Sequence, residues 1–537
     1  MICFSKATIV AAVLTFLLAV CPVALAADGQ PVFGSGNPYE ALSQLQADSC
    51  QWLVTCVVQS EAGPNVSNNG RVIAQDMRSG TSWYVRSGAY PAPVAGGQSD
   101  PVAWVDGELV RIVYVQADTS VPGVYDTDLW IWEGSAAGVA AAGFPKLLVS
   151  GPALSQQMRP SIGVVEESAR WHLLVAWEDD RDNGPLKPNV YVLDLSRDGD
   201  TNGTPDYKEA AFAPSGAGRQ TSSDRWGASG PDVGPKGIFY LQDGLAGVDS
   251  WQSRVAWHYP FGMATTTAFF TPAQSYDDVD CAKATSVGGA WLGPALVGGP
   301  FQPYSKSTSG GSQATVFSVL YAPGPFDSFW ETDTTRTRYA LSGRHGGTDG
   351  DFDVFFYDTA TRQTVSICTV GSSDLTERDR LSQNDPVVCE GPEGTASVTW
   401  DDVRHNASGT APAAMTHRVY VAGVPSLSLT ASRVTLRLGR SVTLATTVAA
   451  GFPGKKVMFQ TGKRTVDPIY KLVRYTAWNT RGGKTLSKAS RASWTWTPTR
   501  RGTFYVRAWF GGATMTSGPV SGRWVGNASR VIRIVVR

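Results

Sequence analysis

One long stretch occurs twice in this chain, and the repetition limits the folds open to it. The first copy, SQQMRPSIGVVEESARWHLLVAWEDDRDNGPLKPNVYVLDL, begins at Ser155, and the second, SQNDPVVCEGPEGTASVTWDDVRHNASGTAPAAMTHRVYV, begins at Ser382. Each has a Gln, a Pro three residues later, an apolar run that ends in Trp, an acidic turn and a run that contains Tyr. Short apolar runs between turn-forming residues are typical of β-strands. The repeated unit is therefore interpreted as a small sheet.

Weaker copies of the unit occur near Gly97, Gly230 and Gly293. A unit of about 40–70 residues with four short strands is typical of a β-propeller blade. The Pro of the unit recurs at unequal intervals, at Pro101, Pro160, Pro231, Pro294 and Pro386. With one more unit at the N-terminus, this pattern predicts an all-β chain with a propeller of about six blades over residues 40–423.

The acidic turns WEDDR and WDDVR follow the apolar runs of the two best copies. We interpret each Trp as packing between sheets, and Asp179 or Asp401 as pairing with a neighbouring Arg and with turn backbone groups. Because equivalent turns of a repeat lie in different blades, these acids are not expected to meet at one site. Catalytic use of Asp179 or Asp401 is the alternative.

A family resemblance rests on these motifs. The order Q-x-x-P, then V-x-W-x-D-x-R, then a strand such as NVYVLDL is similar to TolB-like propellers of secreted bacterial proteins. The match is good in the two units that contain Gln157 and Gln383, and it covers residues 40–423. The resemblance implies a secreted β-propeller. The units lack the motif S-x-D-x-G-x-x-T-W of sialidases and the G-H and W-D signature, which argues against those propeller classes.

A second domain is predicted over residues 424–537. Seven or eight short apolar runs follow Pro425, which is the strand number of an immunoglobulin-like sandwich. The run WTPTRRGTFYVRAWF resembles bacterial surface immunoglobulin-like domains. That resemblance implies a spacer or a cell-envelope attachment module.

The formal net charge of zero conceals a separation of charge between the two domains. The second domain holds 20 Lys and Arg against one acid, Asp467, and the other 45 acids precede it. Such a field governs association and not fold. Either the basic domain binds an anionic cell-envelope polymer, or it docks on the acidic propeller. Nucleic acid is not expected, because a secreted protein meets cell-wall polyanions and acidic polysaccharides more often.

The N-terminal segment is typical of a targeting signal. Lys6 precedes an apolar run that ends in small residues near Ala26 and Ala27, which predicts a secretory signal peptide over residues 1–27. No later segment approaches the roughly 20 apolar residues of a membrane-spanning helix. The expected location is therefore extracellular, with possible attachment to the cell surface.

Five cysteines follow this signal: Cys50, Cys56, Cys281, Cys368 and Cys389. An odd number leaves at least one thiol without an intramolecular partner. On one straight strand, Cys50 and Cys56 would lie roughly 20 Å apart, which is too far for a disulfide. We predict a bond between Cys368 and Cys389.

The run DGDTNGTPDYKE fits the calcium-loop pattern D-x-[DN]-x-[DN]-G-x5-E. Ca2+ binds six to eight oxygen atoms, which alternate residues of a tight loop supply. The predicted ligands are Asp198, Asp200, Asn202, Thr204, Asp206 and Glu209, with Thr204 acting through its carbonyl group. The segment before the loop is a strand, so the loop resembles the calcium loops of thrombospondin type 3 repeats more than an EF-hand. A solvated Asp and Gly turn is the alternative to a structural calcium site.

No motif of a serine hydrolase, a zinc peptidase or a nucleotide-binding loop is found in the sequence. We therefore expect a binding protein and not an enzyme, with a protein or carbohydrate partner at the propeller and no catalytic residue assigned. The alternative is a propeller-type glycoside hydrolase or polysaccharide lyase with an accessory sandwich module, which needs two carboxylates from different blades. A purely structural envelope component is a third possibility.

The calcium loop makes a prediction of its own. A chelator should lower the melting temperature of the protein, because a bound ion stabilises the folded state alone. Asp198→Ala should abolish this dependence on calcium. Thermal melts of both proteins, with and without chelator, measure the effect. A wild-type protein whose melting is indifferent to chelator would show that the loop is only a turn.

Overall fold

The computed structural model describes the strands of the chain and many of their connections, and one short 3-10 helix, Pro392–Gly394, lies among them. Within this part no helix has the length and hydropathy needed to cross a membrane. The described residues are 30–33, 43–59, 70–85, 97–107, 109–118, 126–135, 144–149, 155–168, 170–181, 188–196, 219–220, 228–243, 253–261, 267–270, 280–285, 288–294, 301–309, 314–315, 326–335, 338–345, 351–368, 383–402, 417–466, 473–515 and 522–537.

After the short strand β1 (Gln30–Pro31), six four-stranded antiparallel sheets follow one another along the described part of the chain, and each is a propeller blade. Blade 1 contains β2 (Ser43–Cys50), β3 (Leu53–Gln59), β4 (Arg71–Asp76) and β5 (Thr81–Tyr84). Blade 2 contains β6 (Gln98–Asp106), β7 (Leu109–Asp118), β8 (Asp126–Ser135) and β9 (Phe144–Val149). Blade 3 contains β10 (Gln157–Glu167), β11 (Arg170–Asp179), β12 (Asn189–Asp194) and β13 (Arg219–Gln220).

The next three blades have the same strand order. Blade 4 contains β14 (Ala228–Gly234), β15 (Gly237–Asp243), β16 (Ser253–His258) and β17 (Thr267–Phe270). Blade 5 contains β18 (Asp280–Ala284), β19 (Gly288–Pro294), β20 (Phe301–Ser307) and β21 (Ala314–Thr315). Blade 6 contains β22 (Phe326–Thr335), β23 (Arg338–His345), β24 (Asp351–Asp358) and β25 (Gln363–Cys368).

Blade 7 joins the two ends of the propeller. Its strands β26 (Gln383–Glu390), β27 (Ala396–Asp402) and β28 (Arg418–Val424) come from the end of the repeat, and β1 pairs antiparallel with β28. Phe33, which follows β1, is fully buried against apolar residues of blade 1 and of β28. The N-terminal strand therefore closes the ring by completing the last blade.

The described residues thus form seven blades, one more than the sequence repeat predicted. The all-β propeller itself is confirmed. The count was wrong because β18 and β22, the first strands of blades 5 and 6, contain no Pro to mark them. Pro294, taken as the start of a unit, instead ends the second strand of blade 5. The propeller also begins earlier than residue 40, since β1 belongs to it.

The repeated Trp and acidic turn have the structural role that the sequence predicted. Trp177 and Trp400 are fully buried, and their rings stack on Tyr191 and Tyr420 with centroids 5.8 and 5.9 Å apart. Each indole nitrogen donates to a carboxylate two residues later at 3.1 Å. In the first copy that carboxylate, Asp179, also pairs with Arg181 and accepts its backbone amide. These acids hold turns together inside the blades.

The predicted bond between Cys368 and Cys389 is not formed in the structure, where the Cys389 sulfur accepts the backbone amide of Gln51. Cys368 ends β25, the fourth and outermost strand of blade 6, whereas Cys389 lies on β26, the first strand of blade 7. The two strands lie at different distances from the propeller axis. Cys50 and Cys56 are also free thiols, but they do not lie on one straight strand, because a turn at Gln51 and Trp52 places them on the two paired strands β2 and β3.

The remaining residues form a β-sandwich that follows the propeller. One sheet contains β29 (Leu427–Ala431), β31 (Val442–Val448) and β34 (Arg491–Trp496). The other contains β30 (Thr435–Leu436), β32 (Lys456–Val466), β33 (Val473–Thr485), β35 (Gly502–Phe510), β38 (Asn527–Ala528) and β39 (Ile532–Val536). Burial alternates along β31 and β35, because successive side chains of a strand point to opposite faces. Phe452, Phe459, Phe510 and Trp524 are among the residues that fill the space between the sheets.

The sandwich is attached directly to blade 7. The hairpin of β36 (Ala513–Met515) and β37 (Gly522–Trp524) extends the blade 7 sheet, with Gly423 of β28 paired to Trp524 in parallel. The Trp524 ring lies so close to Gly423 that a Cβ there would be 2.6 Å from it. The next residue, Val525, packs in the core of blades 6 and 7. The junction therefore rests on backbone pairing and apolar packing, and the basic domain does contact the propeller.

Candidate functional site

The candidate site lies in the central channel of the propeller. The first strand of each blade contacts the first strands of the two neighbouring blades, and β2 contacts β26, so the seven strands form a closed ring. Each carries a break in its pairing with the second strand, as between Leu45 and Asp48 or between Ser229 and Asp232. Such bulges re-aim side chains and are common next to active sites. In several blades a residue at or just after the break contacts the next blade, as Asp48 and Asp232 do.

Four of these first strands place a side-chain oxygen against the backbone of the next blade. Asp48 accepts a hydrogen bond from the Ala103 amide at 2.7 Å, and Asp232 accepts one from Ala284 at 2.6 Å. The same contact joins Asp333 to Val388 at 2.7 Å, and Ser161 Oγ to Val233 at 3.1 Å. Ser161 makes this contact with a hydroxyl group, so a carboxylate is not needed to join two neighbouring blades.

A single cation belongs to the same group of residues. Lys283, on β18 between the strands of Asp232 and Asp333, has its Nζ 3.4 Å from Asp333 Oδ1. We call Asp48, Asp232, Lys283 and Asp333 the channel group. It holds three carboxylates for one ammonium group, so at least one carboxylate lacks a compensating charge nearby.

The electrostatics of the channel group separate its members. Burial, and then the charge of Asp333, raise the pKa of Asp48 from 3.8 to about 7, against the opposing effects of the Ala103 amide and Lys283. Burial also raises the pKa of Asp232, while Lys283 lowers it. Asp48 is enclosed by protein and yet keeps part of its surface accessible, as a residue on a channel wall does. It can therefore hold a proton near neutral pH and still meet a ligand.

A second polar group lies at the breaks of blades 1 to 3, two residues before the positions of the channel group. Gln46 and Asp100 exchange two hydrogen bonds, of 2.9 and 3.0 Å. Arg159 pairs with Glu178 at 3.2 Å, and Glu178 also accepts the amide of Gly230 at 2.7 Å. Burial raises the pKa of both Asp100 and Glu178, and Arg159 opposes it in both. The Arg159 side chain is 65% exposed although it pairs with Glu178. Its guanidinium group is therefore accessible to a ligand.

The site residues predicted from the sequence do not belong to the channel group. The predicted calcium ligands, Asp198, Asp200, Asn202, Thr204, Asp206 and Glu209, lie outside the described residues. Across the described part of the chain, no group of three or more His, Cys, Asp or Glu could hold a metal ion. Asp401 is buried at 3% exposure in blade 7, away from the channel group.

Sequence reasoning missed the channel group altogether. Its members come from blades far apart in sequence, and the equivalent position holds Val102 in blade 2 and Val387 in blade 7. A signal was present only in the Pro-Asp pair at Pro231 and Asp232, one residue beyond the repeated Pro. The channel group could be recognised only once the structure showed which residues of neighbouring blades lie side by side.

Comparison with known proteins gives the fold and no family. No protein-family model matches the chain, and no curated protein does. A puromycin-hydrolysing peptidase of Mycobacterium tuberculosis is similar at 13% identity and a TM-score of 0.34, over 70% of this chain and 60% of its own. The propeller domain of the Trilobed protease from Pyrococcus furiosus is similar at 8% identity and a TM-score of 0.30, over 62% and 97%. A GH43 endo-arabinanase of Bacillus licheniformis is similar at 10% identity and a TM-score of 0.27, over 62% and 96%.

The expectation that the chain is not an enzyme is withdrawn, because the structures similar to it are peptidases and glycoside hydrolases. The chain spans about 60% of the length of the peptidase from M. tuberculosis. At these identities the likeness concerns the propeller fold and transfers no activity.

The raised pKa of Asp48 predicts how stability depends on pH. The folded chain holds a proton on Asp48 up to about pH 7, whereas the unfolded chain loses it near 3.8. Stability should therefore fall as pH rises through this window. Asp48→Asn removes this contribution, so the variant should gain stability relative to the wild type between about pH 5 and about pH 8.

Urea unfolding at the two pH values measures this difference. Asp106→Asn, at an exposed turn, is the matched control and should leave the pH dependence unchanged. Equal pH dependence in the wild type and in Asp48→Asn would show that Asp48 is already ionised at the lower pH.

Proposed function

We propose that the chain is a secreted glycoside hydrolase whose propeller channel holds the reaction and whose sandwich is an accessory module. One observation carries the proposal: Asp48, with a pKa of about 7, shares a channel with Asp333, which Lys283 contacts. Glycoside hydrolysis needs one carboxylic acid that still holds its proton and one carboxylate. Proteins assign these two roles by placing two carboxyl groups in different surroundings, here burial at Asp48 and the Lys283 contact at Asp333.

The proposed roles follow from the contacts of the two carboxyl groups. Asp48 Oδ2 accepts the Ala103 amide, so Oδ1 is left to carry the proton that passes to the glycosidic oxygen. Asp333 Oδ2 accepts the Val388 amide, and its Oδ1 faces Lys283 and takes the proton of the attacking water. The first strand of blade 7 lies between the strands that carry the two residues, and we propose the inverting reaction, in which a water molecule enters between the carboxyl groups.

Hydrolysis is tested with a panel of soluble polysaccharides. The wild type should release reducing sugar from at least one member, and Asp48→Asn and Asp333→Asn should each lower the rate by roughly 100-fold or more, because each removes a proton-transfer group. Asp106→Asn is the control and should retain the wild-type rate. The rate of the wild type should also fall as pH rises through about 7, where Asp48 loses its proton.

Two outcomes contradict the proposal. Polysaccharide that binds to the wild type without release of sugar would leave the channel group without a catalytic role. Release of sugar that survives both substitutions would place the reaction elsewhere in the chain.

The accessory role of the sandwich is supported by the outer face of its six-stranded sheet. The Arg507 guanidinium lies over the rings of Trp478 and Trp509, 3.9 and 5.1 Å from their centroids, and donates to Gln460 at 2.9 Å. Burial lowers the pKa of Arg507 to about 9. Half-exposed rings offer flat apolar surfaces to sugar rings, and the cation stacked between them offers a partner to an acidic substituent.

Exposed cations surround these rings, so we propose an anionic polysaccharide of the cell envelope as the partner of this face. Lys463 and Arg464 are exposed on β32, in the same sheet. The field of the 20 Lys and Arg favours an anionic polymer without fixing its identity. The finer assignments, a TolB-like propeller and an immunoglobulin-like sandwich, belong to the same proposal. So do secretion and a structural calcium ion in the loop 198–209.

Binding at this face should weaken as salt rises, because exposed charges are screened. Lys463→Glu should reduce co-sedimentation of the whole chain with bacterial cell walls. Lys488→Glu, an equal change of charge at an exposed turn away from the aromatic rings, is the control and should bind nearly as the wild type does. Equal losses from both substitutions would show attraction by net charge alone and no site at the aromatic face.

A further inference from the structure

The place where the propeller closes brings two cysteines together from opposite ends of its sequence. Cys50 ends β2 in blade 1, and Cys389 lies on β26 in blade 7. The backbone amide of Gln51, the residue after Cys50, donates to Cys389 Sγ, and Cys50 is the first cause of the raised pKa of the Cys389 thiol. Because that amide belongs to the peptide bond of Cys50, the Cys389 sulfur lies within reach of the Cys50 side chain.

This contact belongs to the seam between blades 1 and 7. Gln44 of β2 accepts the Val419 amide of β28 at 3.0 Å. Ser49, beside Cys50, contacts Thr399 of β27 at 3.4 Å. These bonds are individually weak. The seam is also where the ring depends on the short strand β1, which pairs with blade 7 through Gln30 and Pro31.

We propose that Cys50 and Cys389 form a disulfide that locks the propeller ring, as a covalent counterpart to the N-terminal strand. Cys56, on β3, is fully buried among apolar residues of blades 1 and 7 and has no part in the bond. Oxidising compartments are where such bonds form and persist, so the proposal rests on secretion but not on hydrolysis.

The bond forms by exchange with a disulfide donor such as glutathione disulfide or a thiol–disulfide oxidoreductase. The Cys50 thiolate attacks the donor, forms a mixed disulfide and releases one donor thiol. The Cys389 thiolate then attacks Cys50 Sγ and releases the second, so the protein loses two protons and two electrons and the donor gains them. Cys50, which is partly accessible, is the first to react.

Closure of the ring slows the second step. Contact with Cys50 and burial raise the pKa of the Cys389 thiol well above its usual value, so few thiolates are present in the closed ring. The bond therefore forms most readily while blades 1 and 7 are still docking. Once formed, it is protected from reductants by the same burial.

The test uses the whole reduced chain, incubated with glutathione disulfide in a urea concentration below the unfolding midpoint so that the seam can open. The remaining thiols are then alkylated in denaturant, and the chain is digested without reductant. Mass spectrometry should find the peptides of Cys50 and Cys389 linked, and Cys56 alkylated. Alkylation of both Cys50 and Cys389, or a bond from Cys389 to Cys281 or Cys368, would overturn the proposal.

Thermal melting then tests the locking role. The oxidised wild type should melt about 5 °C above the reduced wild type, because the bond closes a loop that spans most of the propeller. Cys50→Ser should show no difference between the two conditions, and Cys56→Ala should keep it. A linked wild type that melts at the temperature of the reduced protein would show a bond that does not hold the ring.

Discussion

The pairing of β1 with β28 is the contact on which the rest of the propeller depends. A sheet edge with unpaired amides and carbonyls is open to association with other chains, and closing the ring removes that hazard. Among the described residues, Gln30 and Pro31 make the pairing and the Val32 amide donates to Val419, and Phe33 and the apolar residues around it add to the attraction. Everything inside the channel follows from closure, because Asp48 meets the charge of Asp333 only when blade 1 lies beside blade 7.

The channel also shows one contact used for two purposes. A side-chain oxygen that accepts an amide of the next blade holds two blades at a constant distance, and Ser161 does so with no charge. Where Asp48, Asp232 and Asp333 occupy this position, the same hydrogen bond orients a carboxylate in an enclosed space. Burial is then the main cause that raises the pKa of Asp48 and of Asp232. A repeating scaffold can thus acquire chemistry by substitution at one position of its repeat.

The sequence was sufficient for the parts of the structure that are local. Alternating apolar runs predicted the strands, and the acidic turn after Trp177 and Trp400 was correctly assigned a structural role. The blade count was wrong where β18 and β22 lack the repeated Pro. The channel group and the contact of Cys50 with Cys389 could not be found, because both depend on which blades become neighbours after closure. Asp, Val, Ser and Lys all occupy the channel position, so no pattern along the chain marks it.

The junction of Gly423 with Trp524 decides how mechanical load would travel through the protein. If the sandwich holds a surface, a pull on the propeller arrives at β28 through this backbone pairing. The same edge of that strand carries β1, because β27 occupies the other edge. Tension on the attachment is therefore delivered to the blade that completes the ring, beside the two-residue strand β1. A force large enough to separate β1 from β28 would therefore also open the ring that forms the channel.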